Sequence, residues 1–343
     1  MSQPLEAFSG SFKTAFEEAA AGGAEVAHRI RIGGYIFRLR YASRMMESVT
    51  FPALEHLAVP HNHAQPDDFT FHIWDSASTS VQPPPPPAPL RENVQKGEVR
   101  ELTSGRFLGH ISHVSGAVSF FDNVSRTAIF WMADAAAITG HERAAPFLQI
   151  FQWCFLASGR QVTHAAAIGL PGAGALLAGR SGSGKSTTAA LAHEAGLLHL
   201  ADDYCVLGDD PPCVYRFYRS AKLHPHSLAM GALARLPRDP RWMVDEKNVL
   251  LLEHCTPASL PLKLFLLPRV TGGHETTARP ATPAEALRAL APSTLFQLPS
   301  ASMESLAFLG RIARRLPVFH LDLGTDPESV TSCVRRLLEG AAG

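Results

Sequence analysis

The stretch Gly174-Ala175-Leu176-Leu177-Ala178-Gly179-Arg180-Ser181-Gly182-Ser183-Gly184-Lys185-Ser186-Thr187 decides the reading of the C-terminal half of the chain. Its second part, Gly179 to Ser186, fits G-x-x-x-x-G-K-[ST] without a mismatch. A short apolar run precedes it, and Lys185 to Glu194 reads as a helix closed near Gly196. Strand, glycine-rich loop and helix are the context the motif requires. Glycines at 179, 182 and 184 let backbone N–H groups curl around phosphate oxygens. The helix that begins there aims its orphan N–H groups and its dipole at the same anion. Gly179, Ser181, Gly182, Ser183, Gly184, Lys185, Ser186 and Thr187 are therefore the expected nucleotide-binding residues. Lys185 supplies a point charge to the β- and γ-phosphates, and the Ser186 hydroxyl ligates Mg²⁺. ATP and Mg²⁺ are the expected cofactors.

Downstream, Leu198 to Leu207 reads as a returning strand that carries Asp202 and Asp203. A helix of about three turns and a returning strand fit the distance from Lys185 to Asp203. Two adjacent carboxylates at that sheet edge can divide labour, one holding Mg²⁺ and the other accepting a proton from an attacking hydroxyl. Upstream, His164 lies in the apolar run Gln161 to Ile168. A lone histidine in such a strand is usually a core residue, and only the strand order could bring it to the same edge. Of the remaining polar residues, Arg219, Lys222 and His224 follow the expected strand Cys213 to Tyr218 and read equally as a basic group reaching the phosphates or an acidic substrate and as a solvated basic turn. Lys247 and Arg269 are weaker candidates, and Arg311, Arg314 and Arg315 read as a solvated helix face. His61-x-His63 and His224-x-His226 have no accompanying ligand pattern and read as surface turns.

Further strands are expected at Val249 to Leu252, Leu262 to Leu267 and Val318 to Leu323. Helices are expected at Pro283 to Leu290, Met303 to Arg315 and Pro327 to Leu338, so this half of the chain is α/β. The N-terminal region shows β-like runs at Ile30 to Leu39, Phe69 to Trp74, Phe107 to Ile111, Gly116 to Phe121 and Ala128 to Met132, with little helical periodicity. The division expected is a β-rich domain over 1–137, suited to substrate docking, and a P-loop domain over 138–343 that opens on a helix at Pro146 to Ser158. The proline run in 82–89 favours polyproline II and reads as a stiff surface loop, with docking into an aromatic groove the sharper alternative.

The 343 residues suit two domains at roughly 150 residues each. With 46% hydrophobic and 18% charged residues, the chain has ample material for a core. Lys+Arg and Asp+Glu are both 31, which argues against a dedicated nucleic-acid binder. Five cysteines without C-x-x-C spacing read as reduced thiols. No signal peptide and no membrane-spanning run is seen, so the expectation is a cytoplasmic protein with no nucleic-acid or membrane partner. Homo-oligomerisation stays open.

Taken in order, His164-Ala165-Ala166, Gly174 to Ser186, and Leu200-Ala201-Asp202-Asp203 resemble the catalytic domain of HPr kinase/phosphorylase. The resemblance implies a fold like the nucleotide domain of phosphoenolpyruvate carboxykinase and an ATP-dependent serine kinase acting on a small protein. It further implies that Lys185 and Ser186 bind phosphate and metal, Asp202 helps with metal, Asp203 is the base toward the serine, and His164 supports the site's charge balance. The chain departs from that family where Thr187 stands in place of the glutamate after G-K-S, and where no Glu-Val-Arg-Gly-Leu-Gly segment follows Asp203. It looks more like the diverged HPr-kinase-related proteins, some of which phosphorylate a serine of ribosomally made peptides such as lasso peptide precursors. The expected partner is therefore a peptide or small protein that carries a serine.

Two other readings remain at this level. A small-metabolite kinase would carry an arginine-bearing helical lid, for which only Arg235, Arg238 and Arg241 are candidates, and Pro237 and Pro240 interrupt any helix there. A non-catalytic regulatory nucleotide-binding protein would have no need of Asp203. A transporter ATPase is set aside because no LSGGQ-like signature is present.

Overall fold

A computed structural model of the chain describes residues 2–22, 25–60, 64–89, 97–236, 239, 242–252, 257–298, 300 and 302–342. It divides into two compact units, Met1–Ser158 and Gly159–Gly343.

The first unit begins with a helix the sequence reading did not anticipate, α1 (Ser2–Ala21). Leu5, Phe8, Phe12, Phe16 and Ala19 recur at helical spacing along it and are all buried. The small and charged residues between them hide that stripe in a count of composition. Six strands follow: β1 (Val26–Ile32), β2 (Tyr35–Tyr41), β3 (Phe69–Asp75), β4 (Phe107–Ile111), β5 (Val118–Asp122) and β6 (Thr127–Met132). They form one sheet in the order β1-β2-β3-β6-β5-β4. The single strand expected at Ile30 to Leu39 is in fact a hairpin. Gly33 and Gly34 both take positive φ (61° and 89°), the conformation a two-residue type I′ turn requires. Short helices α2 (Arg44–Thr50), α3 (Ser76–Thr79) and α4 (Gly140–Ala144) decorate the sheet.

Helix α5 (Leu148–Leu156) belongs to this unit as well. Its Phe151 and Phe155 rings lie 5.1 and 5.6 Å from Phe37 of β2, so the unit continues beyond the boundary at 137 read from the sequence. Residues 82–89 have no regular secondary structure. The chain enters them tethered at Val81, whose carbonyl accepts from Trp74 Nε1 and Ser76 Oγ.

In the second unit the strands are β7 (Gln161–His164), β8 (Ala166–Leu170), β9 (Ala173–Leu177), β10 (Leu198–Ala201), β11 (Tyr204–Asp209), β12 (Pro212–Tyr215), β13 (Ser220–Leu223), β14 (Met243–Val244), β15 (Lys247–Leu251), β16 (Ser259–Val270), β17 (Thr277–Ala281) and β18 (Val318–Leu323). The helices are α6 (Lys185–Glu194), α7 (Pro225–Leu228), α8 (Pro283–Gln297), α9 (Met303–Ala313) and α10 (Pro327–Ala342). The main sheet runs β10-β8-β9-β16-β12-β11-β7, with β18 also paired to β16 and β17 to β18. A small sheet, β13-β15-β14, stands apart from it. Strands β9, β16 and β18 are parallel, so their carboxyl ends and the loop after β9 share one edge. Ala166, Leu177, Ala189, Leu191, Leu264, Leu321 and Val334 are in one core cluster that joins α6 and α10 to the sheet.

Two apolar runs expected as single strands are each broken. Gln161 to Ile168 splits at Ala165 into β7 and β8, and Leu198 to Leu207 splits at Asp202-Asp203 into β10 and β11. Helix α8 runs on to Gln297 through Pro292, beyond the expected end at Leu290. Among the described residues no helix is long and apolar enough to cross a membrane. Cys154, Cys205, Cys213 and Cys333 are free thiols, whereas Cys255, His61 and His63 lie outside the described residues.

Candidate functional site

The loop 179–184 joins β9 to α6 as its sequence requires. Gly182 and Gly184 take φ of 76° and 103°, in the left-handed region that a side chain would strain. A Cβ at Gly179 would stand 2.7 Å from Ser183 Oγ, so that position is glycine for lack of room. Lys185, the first residue of α6, is buried. Its ammonium donates to the carbonyls of Gly179 at 2.7 Å and Arg180 at 3.2 Å, folding the loop over itself. Burial lowers its pKa, and Asp202 and Asp203 oppose that shift. Thr187 Oγ1 meets Ser227 Oγ of α7 at 2.9 Å.

The break between β10 and β11 sets the carboxylates. Asp203 sits at its tip with φ 60°, a left-handed conformation that a non-glycine residue adopts at a cost and that clusters at functional sites. The Tyr204 N–H donates to the Asp202 carbonyl at 2.7 Å and closes the turn. Asp202 is 1% exposed; its Oδ2 accepts from the Lys222 backbone N–H at 3.1 Å. Its Oδ1 is buried with no hydrogen-bond partner among the described residues. Burial, with the neighbouring Asp203 charge, pushes the Asp202 carboxyl up to about 6, and a hydrogen bond with Ser186 pulls the other way. Asp203 behaves oppositely. Burial would raise it too, but the Lys222 ammonium, 2.7 Å from Oδ2, and His164 hold its carboxyl well below the usual range.

His164 reaches this edge through register. Strand β11 pairs with β7 so that Tyr204 lies opposite His164, which leaves His164 Nε2 3.8 Å from Asp203 Oδ1. The His164 backbone N–H donates to Thr294 Oγ1 of α8 at 3.2 Å. The histidine that sequence alone would leave in a core is therefore at the carboxylate pair.

Lys185, Ser186, Asp202, Asp203 and His164 are thus brought together, and Lys222 joins them. The sequence offered Lys222 only as a basic residue after a strand. The structure places it in β13 with a main-chain bond to one aspartate and an ion pair to the other. No periodicity could have shown this, because β13 pairs non-locally with β15. Other secondary candidates lie elsewhere. Arg269 pairs with Asp322 at 3.0 Å and Arg311 with Asp209 at 2.7 Å, and His224 stacks against His226 at 5.2 Å. Arg311 and Arg315 are not simply solvated, since Arg315 meets Asp210 at 3.5 Å.

No family model matches the chain, and no curated protein matches it. Among solved structures it is similar to the Hpr(Ser) kinase/phosphatase from Coxiella burnetii. That alignment has 11% sequence identity and a TM-score of 0.29, and covers 53% of this chain and 99% of that one. A likeness of that degree carries no argument about residues, so the chemistry must come from the site itself.

Asp202, with a buried oxygen that has no partner among the described residues, and the neighbouring Ser186 hydroxyl are donors a hard cation can use. Among the described residues there is no group of three or more His, Cys, Asp or Glu able to hold a metal. The Asp202 carboxylate and the Ser186 hydroxyl are hard oxygen donors of the kind that fit Mg²⁺, which usually keeps waters and substrate phosphate oxygens as its other ligands. Ser183 Oγ in the loop is also buried without a partner among the described residues, as a phosphate-facing hydroxyl would be.

Proposed function

We propose that the chain is an ATP-dependent kinase that transfers the γ-phosphate to a serine hydroxyl of a peptide or small protein. The observation that carries this reading is the pairing of a glycine-rich anion loop with two adjacent buried carboxylates whose pKa values are shifted in opposite directions. Asp202 has a bare buried oxygen beside Ser186, and Asp203 is kept charged by Lys222 and His164.

The loop N–H groups and the first turn of α6 hold the phosphates. Lys185 exchanges its two loop carbonyls for β- and γ-phosphate oxygens. Ser186 and Asp202 would hold Mg²⁺, which neutralises charge that builds on the phosphates. The acceptor oxygen forms its bond to the γ-phosphorus as the bond to the β–γ bridging oxygen breaks, and ADP leaves with that electron pair. The hydroxyl proton passes to Asp203 and from there to solvent. Lys222 and His164 hold the Asp203 carboxylate in place during the exchange. The choice of a serine in a peptide or small protein follows the resemblance of His164, the loop and the aspartate pair to the HPr-kinase-related proteins. Thr187, engaged with Ser227 where reversible HPr kinases carry glutamate, supports transfer in the forward direction only.

The reading is tested with γ-labelled ATP, Mg²⁺ and a degenerate peptide library containing serine, set against the same library with alanine. Label retained only on the serine library is the expected result. Transfer to a free small metabolite with equal efficiency would overturn the acceptor class.

Asp202→Asn separates metal from base. Its raised pKa means the folded state holds more protons than the unfolded chain between about pH 4 and pH 6. Wild-type stability therefore falls across that window as pH rises, and the penalty is complete above it. The variant lacks this penalty. Its thermal midpoint should exceed wild type at pH 8 and converge with it near pH 4. The Mg²⁺ concentration for half-maximal transfer should rise at least about tenfold, the loss that even outer-shell partners of a metal cause.

A further inference from the structure

A cavity of about 1040 Å³ lies between the first half of the phosphate loop and one face of α8, and neither Asp202, Asp203, Lys222 nor His164 lines it. It is also walled by the carboxyl end of β16, Leu267 to Val270, and by His320 of β18. Its charges are lopsided. Arg180, Arg269 and Arg288 line it, against one carboxylate, Glu285. Glu285 is already engaged, because it accepts from the Thr282 backbone N–H at 2.8 Å to cap α8 and faces His320 Nε2 at 3.0 Å. Arg269 is held by Asp322. The exposed guanidiniums of Arg180, on the loop, and Arg288, on α8, have no hydrogen bond or ion pair with any described residue.

Two free guanidiniums on different walls of one cavity form a site for carboxylates or other planar anions. The volume is at the top of the range for small-molecule pockets, about 300–1,000 Å³, and far exceeds what a single inorganic anion fills. The site is also tied to the transfer centre. The cavity touches the loop from Gly179 to Ser183, and the helix that lines it, α8, holds the His164 backbone through Thr294.

We propose that this cavity is the acceptor-recognition site and that it takes an acidic peptide segment, whose carboxylates beside the acceptor serine pair with Arg180 and Arg288. The inference rests on the kinase reading, of which it names the substrate class. The peptide lies along the apolar floor of the cavity and presents its hydroxyl to the phosphoryl group in the loop. A basic segment is repelled by the same arginines, so the site selects by charge as well as by shape.

The experiment measures binding, not transfer, so it succeeds or fails independently of the kinase reading. Two fluorescein-labelled peptides with a central serine are compared by anisotropy, one with two aspartates on each side and one with two lysines. The full chain is used with the non-hydrolysable analogue AMPPNP and Mg²⁺. The acidic peptide should bind at least about tenfold more tightly. Arg288→Glu, on an exposed helix face that tolerates the change, should weaken the acidic peptide about tenfold and strengthen the basic one. The affinity for a fluorescent mant-ATP probe should stay within twofold. Equal binding of the two peptides overturns the proposal. So does a loss in Arg288→Glu of mant-ATP affinity instead of peptide affinity, which would give the cavity to the nucleotide. Binding of free succinate as tight as that of the peptide would give it to a small dicarboxylate. Absence of transfer to any hydroxyl, with the peptide selectivity intact, would instead sink the kinase reading and leave an acidic-peptide site.

Discussion

Lys185→Ala should abolish phosphoryl transfer while leaving the protein folded. The Lys185 ammonium is buried against the Gly179 and Arg180 carbonyls, and no carboxylate among the described residues is within ion-pair distance of it. Its lowered pKa shows that the charged form is disfavoured there by burial. That penalty is present at every pH below the lowered pKa, so removing the side chain should leave the thermal midpoint at pH 7 unchanged or slightly raised. The transition state is another matter. Negative charge builds on the β–γ bridging oxygen beside the buried Lys185, and a fixed cation in such low-dielectric surroundings is worth more than one in solution. Removing a single neutral donor to such a charge already costs about 10²–10³ in kcat. The loss of a full charge should cost about 10³ or more. Affinity for ATP should fall less, since the loop N–H groups and the α6 N-terminus remain. Arg180 cannot substitute, because it precedes the left-handed turn at Gly182 and its guanidinium is exposed on the cavity side of the loop. Single-turnover transfer from γ-labelled ATP, read beside mant-ATP affinity and a melting curve, checks all three statements. Transfer within tenfold of wild type would mean that the glycine-rich loop does not hold the phosphates.

The parts of this site that were legible in the sequence are those fixed by local chemistry. The loop and α6 fall at the residues expected, because glycine positions, the Lys-Ser pair and the following helix are all contiguous. The aspartate pair was legible by its distance from Lys185. What the sequence concealed is the geometry that shifts the two carboxyls in opposite directions. Runs such as Gln161 to Ile168 and Leu198 to Leu207 are mainly apolar without a strict alternation, so no period marks where they break. Yet the breaks at Ala165 and at Asp202-Asp203 create the site: they send β7 and β11 to pair with each other, and so set His164 beside Asp203. Lys222 was hidden for a different reason. Its place depends on pairing between β13 and β15, which are separated by the turns of residues 225–236 and by residues outside the description. In the N-terminal unit α1 was overlooked although its apolar spacing is regular, since Ser, Ala and Glu between the aromatic residues lowered its mean hydropathy. The end expected for α8 at Leu290 comes too early: the helix continues through Pro292 to Gln297 and carries Thr294 to the His164 backbone.

Asp203→Asn should cost about 10²–10⁴ in transfer rate, the usual worth of a positioned general base, with ATP·Mg²⁺ affinity within a few-fold of wild type. The difficulty is that Asp203 is also a structural partner. Lys222, whose side chain is 8% exposed, would lose the carboxylate 2.7 Å away. Leaving a buried cation unpaired costs up to about 3–5 kcal/mol, so a loss of activity in the single variant could be mere unfolding. The pH dependence identifies that contribution. Because the Asp203 carboxyl is held below its ordinary range, the stability it provides is complete above the unfolded carboxylate pKa, near 4, and is lost as pH falls below it. The gap in stability between wild type and variant should therefore be full at pH 7 and narrow below pH 4. The double variant Asp203→Asn/Lys222→Met removes both charges and should recover most of that stability. It should not recover transfer. A base with so low a pKa is weak in the ground state, but a loose transition state for phosphoryl transfer takes the hydroxyl proton late, so position outweighs basicity. If the double variant regains both fold and rate, the acceptor proton goes elsewhere and the Asp203–Lys222 pair is a structural strut. If it regains the fold alone, Asp203 is the group that takes the proton.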